Sequence, residues 1–431
     1  MTHQGFRRYF ANTSWMFAEQ ILRIVAGLFV GIYVARYLGP EKFGIFSYAI
    51  AFAAIFSGIA KLGLDGIVVR NLVNEPNMKD IYLGTAFWLK LSGAIVTLAV
   101  IAFATQFTSN DSITNLYIFI IASGTIFHSF EVVDFYFQSK VLSKFVSICK
   151  LIQLTISSIL KLYLIFTGAD LIWFVLVALV DQITLSLALY IAYRYKNTGW
   201  FYQYFNLKVA IRLLKDSWPL IFSSLVVLVN MRVDQIMIKE LIGDYGVGIY
   251  SVAIRISELW YFIPMIITNS LSPSISSAKK ISEELYHYRL QRLFTLMLWM
   301  AIGIALPMTF LSDWLVALLF GDAFSDAGGV LMIHIWIGLI VFTGCAWSKW
   351  FLNENKMKVY ATFSVITLIL NIILNIILIP KFGIYGAAVA TLLAASIGNI
   401  LVPIFMKSQR IVLLMLLNSL IPIYLVKGRV K

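Results

Sequence analysis

Gly39-Pro40-Glu41-Lys42-Phe43-Gly44-Ile45-Phe46-Ser47-Tyr48-Ala49-Ile50 returns 204 residues later as Gly243-Asp244-Tyr245-Gly246-Val247-Gly248-Ile249-Tyr250-Ser251-Val252-Ala253-Ile254. Six of the twelve positions are identical, and Phe46 and Tyr250 are aromatic in both copies. Each copy opens on a turn between two long apolar runs. If both copies start on the same side of a membrane, they are parallel repeats about an axis along its normal.

The rest of the chain fits that reading. Its 431 residues are 60% hydrophobic and 13% charged, with a mean hydropathy of +0.87. Soluble domains carry roughly 25% charge, so a large water-soluble globule is excluded, and disorder, collagen and coiled coil with it. At about 20 apolar residues per crossing, twelve spans are predicted, at 14–38, 43–61, 80–104, 113–137, 141–166, 170–195, 217–241, 246–271, 292–320, 328–351, 357–379 and 384–406. Turn signals at Leu38-Gly39-Pro40, Asn110-Asp111, Thr167-Gly168, Ile242-Gly243-Asp244, Gly321-Asp322 and Ile379-Pro380 separate the hairpins. With the N-terminus inside, cytoplasmic segments carry 21 Lys and Arg and the outer loops 4, which sets the orientation. The formal charge of +13 therefore marks the cytoplasmic side and its anionic lipid, not nucleic acid. Cys149 and Cys345 lie in apolar runs and form no ligand or disulfide pattern.

The expected fold is all-α: a polytopic membrane protein of two pseudo-symmetric six-helix lobes forming a V around a central cavity. The lobes would be residues 1–195 and 217–406, joined by a cytoplasmic linker at 196–216. The tail, 407–431, is expected to hold a helix in or near the inner interface. The longest expected outer loop, 105–112, leaves no room for an outer catalytic domain, which argues against a membrane glycosyltransferase. No Walker motif or Gly-rich nucleotide loop is present, so ATP is not the expected motor. No metal or cofactor is expected.

Charged residues inside the spans include Arg23, Lys90, Lys150, Lys161, Arg232 and Arg255, with Glu19, Glu131, Asp134, Asp181, Asp234 and Glu258. Each would cost ~2.5–3.5 kcal/mol at a lipid-facing helix centre. Together they would exceed a folding margin of ~5–15 kcal/mol, so most must face water or one another. Glu19 and Arg23 share a helix face, as do Arg255 and Glu258. Lys150 and Lys161 fall in one lane of their helix and need anions from elsewhere: Glu131, Asp134, Asp181 or substrate. Arg232 and Asp234 point apart, whereas Asn230 and Asp234 share a face. Asn371 and Asn375 share another and are expected to bond a neighbouring helix. His128 and His334 read as packing histidines, with a relay through His128 and Glu131 as the sharper option. Trp347-Ser348-Lys349-Trp350 reads as an interfacial anchor.

Several stretches resemble the polysaccharide-repeat-unit flippases, the Wzx-like or O-antigen transporter family. These are Phe10-Ala11-Asn12, Ala35-Arg36-Tyr37-Leu38-Gly39-Pro40-Glu41-Lys42-Phe43-Gly44, Gly63-Leu64-Asp65-Gly66 with Arg70, Arg232-Val233-Asp234-Gln235, Ser272-Pro273 and Phe382-Gly383-Ile384-Tyr385-Gly386-Ala387-Ala388. The Arg255-x-x-Glu258 pair resembles one in the lipid II flippase of the same superfamily, which also holds the multidrug-and-toxin exporters. The resemblance implies a polyprenyl-diphosphate-linked oligosaccharide moved from the cytoplasmic to the outer leaflet of a bacterial inner membrane. Polysaccharide polymerase and chain-length proteins would be partners. Arg23, Arg232 and Arg255 are then the candidate diphosphate ligands, since a guanidinium fork matches phosphate oxygens. Lys90, Lys150 and Lys161 would add positive potential. Glu19, Glu258, Asp181, Asp234, Glu131 and Asp134 are candidates for gating or H⁺/Na⁺ coupling. Export of organic cations, or flipping of a lipid II or teichoic-type precursor, stays open as the alternative.

Overall fold

A computed structural model describes residues 3–196, 199–401 and 410–421, and among these no strand forms. Pro403, the expected end of the twelfth span at 406, and the tail residues Lys427, Arg429 and Lys431 lie outside the described residues, as do the side chains of Arg7 and Arg8. The helices are α1 (His3–Lys61), α2 (Asp65–Asn74), α3 (Lys79–Ala104), α4 (Ser112–Ser123), α5 (Val132–Ser139), α6 (Ser143–Phe166), α7 (Leu171–Lys196), α8 (Leu207–Ile242), α9 (Asp244–Glu258), α10 (Phe262–Ile281), α11 (Glu283–Phe320), α12 (Ala327–His334), α13 (Ile337–Asn353), α14 (Met357–Ser396) and α15 (Arg410–Asn418).

Among the described residues ten stretches are apolar and long enough to cross a membrane. Two of them are too long for one crossing. Ser14–Asn74 has 61 residues, which at 1.5 Å each is ~90 Å, three times a ~30 Å hydrocarbon core. It breaks at Gly39, where φ is 71° and ψ 171°. Met357–Asn399 has 43 residues and breaks at Gly383, where φ is 58°. Split there, the ten stretches become the twelve crossings expected from the sequence.

The repeat reappears in backbone geometry. Gly243, the counterpart of Gly39, has φ 91° and ψ −176°. Both glycines sit in a region open essentially to glycine alone. Tyr82 and Tyr286, also 204 apart, are both fully buried. The turns before α6 and α14 share one hydrogen-bond pattern. Lys140, Val141 and Leu142 bond back to Tyr136, Gln138 and Phe137, as Glu354, Asn355 and Lys356 do to Trp350, Leu352 and Phe351. Val141 and Asn355 occupy the same left-handed position, at φ 55° and 54°. Alanine at Gly39 or Gly243 should cost about 1–3 kcal/mol through backbone strain alone, since no atom lies within 4 Å of an added Cβ at either position. Gly27→Ala, equally open but inside a helix, should stabilise by ~0.5–1 kcal/mol. Apparent unfolding temperatures of the three variants in detergent check the opposite signs.

Contacts divide the chain into two compact units, Met1–Arg232 and Val233–Lys431. In the first, the segment expected to be a linker is anchored to the core through buried Phe201, Val209, Ala210 and Leu213, while most of its other side chains stay exposed. Phe201 is 1% exposed and meets the rings of Phe87 and Tyr193 edge-on. Trp88 Nε1 donates to the Tyr202 carbonyl at 2.8 Å, and the Asn206 amide to Thr85 Oγ1 at 3.1 Å. Gly84 permits this docking: a Cβ there would lie 2.0 Å from the Tyr204 carbonyl oxygen. Helix α8 begins at Leu207, ten residues before the expected span, because Val209 and Leu213 are buried in the same cluster.

The second unit centres on Phe294, Met297, Trp347, Trp350, Phe351 and Phe363. This corrects the expectation of an interfacial tryptophan anchor. Trp347 and Trp350 are 5% and 3% exposed, and Trp347 stacks on Phe351 with centroids 5.7 Å apart. Helix α15 is sewn to α11: Gln291 Nε2 donates to the Met415 carbonyl at 2.8 Å and to Ser419 Oγ at 2.9 Å. Met415 joins the core while Leu414 and Leu417 stay exposed.

Candidate functional site

In the first unit the in-span lysines meet carboxylates one to one. Between α4 and α5 the chain winds as a 3₁₀ helix over Gly124–Glu131, eight residues long. Runs beyond three or four residues are uncommon and mark strain or a hinge. Local chemistry favours it. Ser123, Thr125 and Ser129 each donate to the carbonyl three residues back, and Ser186 of α7 donates to the Phe127 carbonyl at 2.9 Å. The winding brings Glu131 Oε2 to 2.7 Å from Lys90 Nζ. The Lys90 side chain is 0% exposed and also lies 5.0 Å from the Phe135 ring centroid.

Asp134, one turn on, stands 3.5 Å from Lys150. Asp181 of α7 stands 3.2 Å from Lys161, which also donates to Ser157 Oγ at 2.7 Å. The lane on α6 is therefore a row of neutralised pairs, not a bare cationic path. Lys150 and Lys161 keep 28% and 22% exposure, whereas the Lys90 ammonium faces Glu131 with none. His128 lies half-buried in the 3₁₀ segment.

In the second unit a buried carboxylate gathers four donors. Asp234 of α8 is 4% exposed. Its Oδ1 accepts from Asn371 and Asn375 of α14 at 3.0 and 2.7 Å. Its Oδ2 accepts from Tyr250 Oη of α9 at 2.8 Å and from Thr391 Oγ1, beyond the Gly383 turn. All four lone-pair directions are used. The neighbouring hydroxyl, amide and carboxylate oxygens, with the Ala387 carbonyl that Thr391 also touches, are hard donors of the type that binds protons or oxygen-preferring cations. Asn375 Oδ1 is buried without a partner. Among the described residues no three His, Cys, Asp or Glu side chains gather as a metal site.

The asparagine pair and Asp234 stand out in the sequence separately. Their meeting, across 137 and 141 residues, does not. Tyr250 and Thr391 carry no signal of their own, and the repeat hides them. Its first copy has Phe46 and Val30 where the second has Tyr250 and Asp234. The Tyr250 ring lies edge-on to His334, whose Nδ1 is 3.0 Å from Ser257 Oγ. His334 is thus a satisfied buried histidine.

Glu19 and Arg23 pair at 3.2 Å, one helical turn apart as their spacing requires. Arg23 also donates to Gln20, and its side chain stays 44% exposed. Arg255 and Glu258 occupy the last turn of α9, both half-buried, and Arg232 is half-buried on α8.

The sequence profile of the family described as "Polysaccharide biosynthesis protein" matches residues 9–279. The chain belongs to that family. A second profile, MatE, matches residues 219–377. The Staphylococcus aureus "Capsular polysaccharide biosynthesis protein CapF" is 24% identical over 392 residues, covering 88% of this chain and 94% of its own. The Haloferax volcanii "Probable flippase AglR" is 26% identical over 414 residues, covering 89% and 80%. Among solved structures, "Lipid II flippase MurJ, inward closed conformation" superposes with a TM-score of 0.72 at 17% identity, covering 98% of this chain and 94% of that one. An inward-facing MATE-family multidrug transporter of the MOP superfamily superposes with a TM-score of 0.69 at 13% identity, covering 90% and 95%. This family member therefore has the all-α, polytopic fold of those membrane transporters.

Proposed function

We propose that the chain flips a polyprenyl-diphosphate-linked oligosaccharide, the repeat unit of a surface polysaccharide, from the cytoplasmic to the outer leaflet. The observation that carries this reading is the polysaccharide-biosynthesis family match across residues 9–279. Curated relatives of nearly full length named for capsular polysaccharide biosynthesis and as a flippase support it. Charge inside the membrane supplies the chemistry. Arg23 keeps an accessible guanidinium, and Arg23, Arg232 and Arg255 are each candidate ligands whose guanidinium fork matches phosphate oxygens. Lys150 and Lys161, partly open, would add potential by exchanging a carboxylate for a phosphate. Lys90, enclosed with Glu131, would position the 3₁₀ segment instead.

Asp234 is the best place for a coupling H⁺ or Na⁺, with Glu19, Glu131, Asp134, Asp181 and Glu258 as gating partners. An interior-negative potential favours outward movement of the anion by ~2.3 kcal/mol per charge per 100 mV, so about 4–5 kcal/mol for a dianion. The setting would be a bacterial cytoplasmic membrane with the N-terminus inside, alongside polymerase and chain-length proteins.

Alanine at Arg23, Arg255 or Glu258 should leave the protein in the membrane and abolish surface polysaccharide. Normal polysaccharide in all three variants would refute these assignments. The MatE match favours a second reading, organic-cation export. Dye efflux that is lost in Arg23→Ala and Arg255→Ala cells, with polysaccharide intact, would select it.

A further inference from the structure

Helix α8 is longer than a crossing requires. Its 36 residues span ~54 Å, whereas the stretch after Pro219 alone reaches ~34 Å, enough for a ~30 Å core. Residues 207–218 are surplus, and their surface is sorted. Leu207, Ile211, Leu214 and Trp218 are 64%, 59%, 36% and 64% exposed. At 100° per residue they fall within an arc of ~60°. Val209, Ala210, Leu213 and Ser217 occupy one flank, ~60–160° from Leu207, and are buried within the first unit. Lys208, Arg212 and Lys215 line the other flank, ~80–140° from Leu207, and all are exposed.

Two acidic neighbours touch this edge weakly. Glu75 stands 3.6 Å from Arg212, and Asp216 stands 3.5 Å from Arg70, all well exposed. Such pairs are worth ~0–1 kcal/mol and leave the flank cationic. Just upstream, Trp200 and Tyr204 are 39% and 47% exposed, the residue types that settle at headgroup depth, and Phe205 beside them is 52% exposed.

We propose that residues 200–218 form an in-plane docking surface for anionic glycerophospholipids of the inner leaflet, with Lys208, Arg212 and Lys215 reading the phosphates. An apolar stripe edged by cations fits a surface that is apolar below and anionic above. The same helix continues past Pro219 into a span, so the bilayer surface is the adjacent one. The assignment rests on α8 crossing a membrane and not on the identity of the transported lipid.

The test places an environment-sensitive fluorophore at Ile211→Cys in a Cys149→Ala/Cys345→Ala background, in nanodiscs. Brominated phosphatidylglycerol should quench it about two-fold more than brominated phosphatidylcholine at equal mole fraction. That excess should vanish in Lys208→Gln/Arg212→Gln/Lys215→Gln. Should the triple variant fail to fold, raising salt from ~0.1 to ~1 M removes the same attraction. Equal quenching by both lipids in the otherwise unaltered protein overturns the headgroup preference. Quenching by neither overturns the docking surface and leaves the stripe to a protein partner.

Discussion

Lys90→Met should lower the apparent unfolding temperature in detergent by roughly 6–12 °C. The ammonium is wholly enclosed and its carboxylate partner lies 2.7 Å away. Removing one member of a buried pair strands the other, typically at ~3–5 kcal/mol. Glu131 keeps 29% exposure, so water relieves part of that, and the lower end, about 3 kcal/mol, applies. At ~2–4 °C per kcal/mol for a unit of this size, that is the expected shift. Lys90→Met/Glu131→Leu should recover most of the loss, because it removes both charges and fills the space. A double variant no better than Lys90→Met would show that the pair serves something other than packing around the 3₁₀ segment.

Asp234→Ala should be more damaging still. Four donors converge on that carboxylate: Tyr250, Asn371, Asn375 and Thr391. Each left without an acceptor costs ~1–3 kcal/mol. Even with partial relaxation the total should reach at least ~4 kcal/mol, among the large effects for a point change. The variant should fail to accumulate in membranes. Asp234→Asn keeps the volume and one acceptor oxygen, so it should accumulate yet lose any dependence of transport on an imposed H⁺ or Na⁺ gradient. Wild-type accumulation of Asp234→Ala would contradict the network. An unchanged gradient response in Asp234→Asn would remove coupling from it.

What the sequence carried depended on whether the physics was local. Crossings follow from apolar runs and turn glycines, so Gly39 and Gly243 end helices where expected, whereas the turn expected at Ile379-Pro380 comes at Gly383. The Glu19–Arg23 pair follows from one helical turn of spacing. The need of Lys150 and Lys161 for outside anions was legible, and Asp134 and Asp181 answer it. Which acid meets which lysine was not, because a 3₁₀ winding sets the direction of Glu131 and Asp134. Trp347 and Trp350 misled because aromatics near a helix end suit the interface and a packed core equally well. The docking of 199–206 turned on the missing Cβ of Gly84, which no periodicity records. The Asp234 network joins α8, α9 and α14 across the second half of the chain, so no local spacing shows it.

The most direct measurement follows a polyprenyl-diphosphate-linked oligosaccharide across proteoliposomes of the purified protein without ATP, under an imposed potential or ion gradient, with headgroup accessibility read from outside. The account predicts crossing above protein-free vesicles that responds to the gradient and is lost in Arg23→Ala and Arg255→Ala. Crossing no faster than in empty vesicles, or equally fast in both arginine variants, would contradict it.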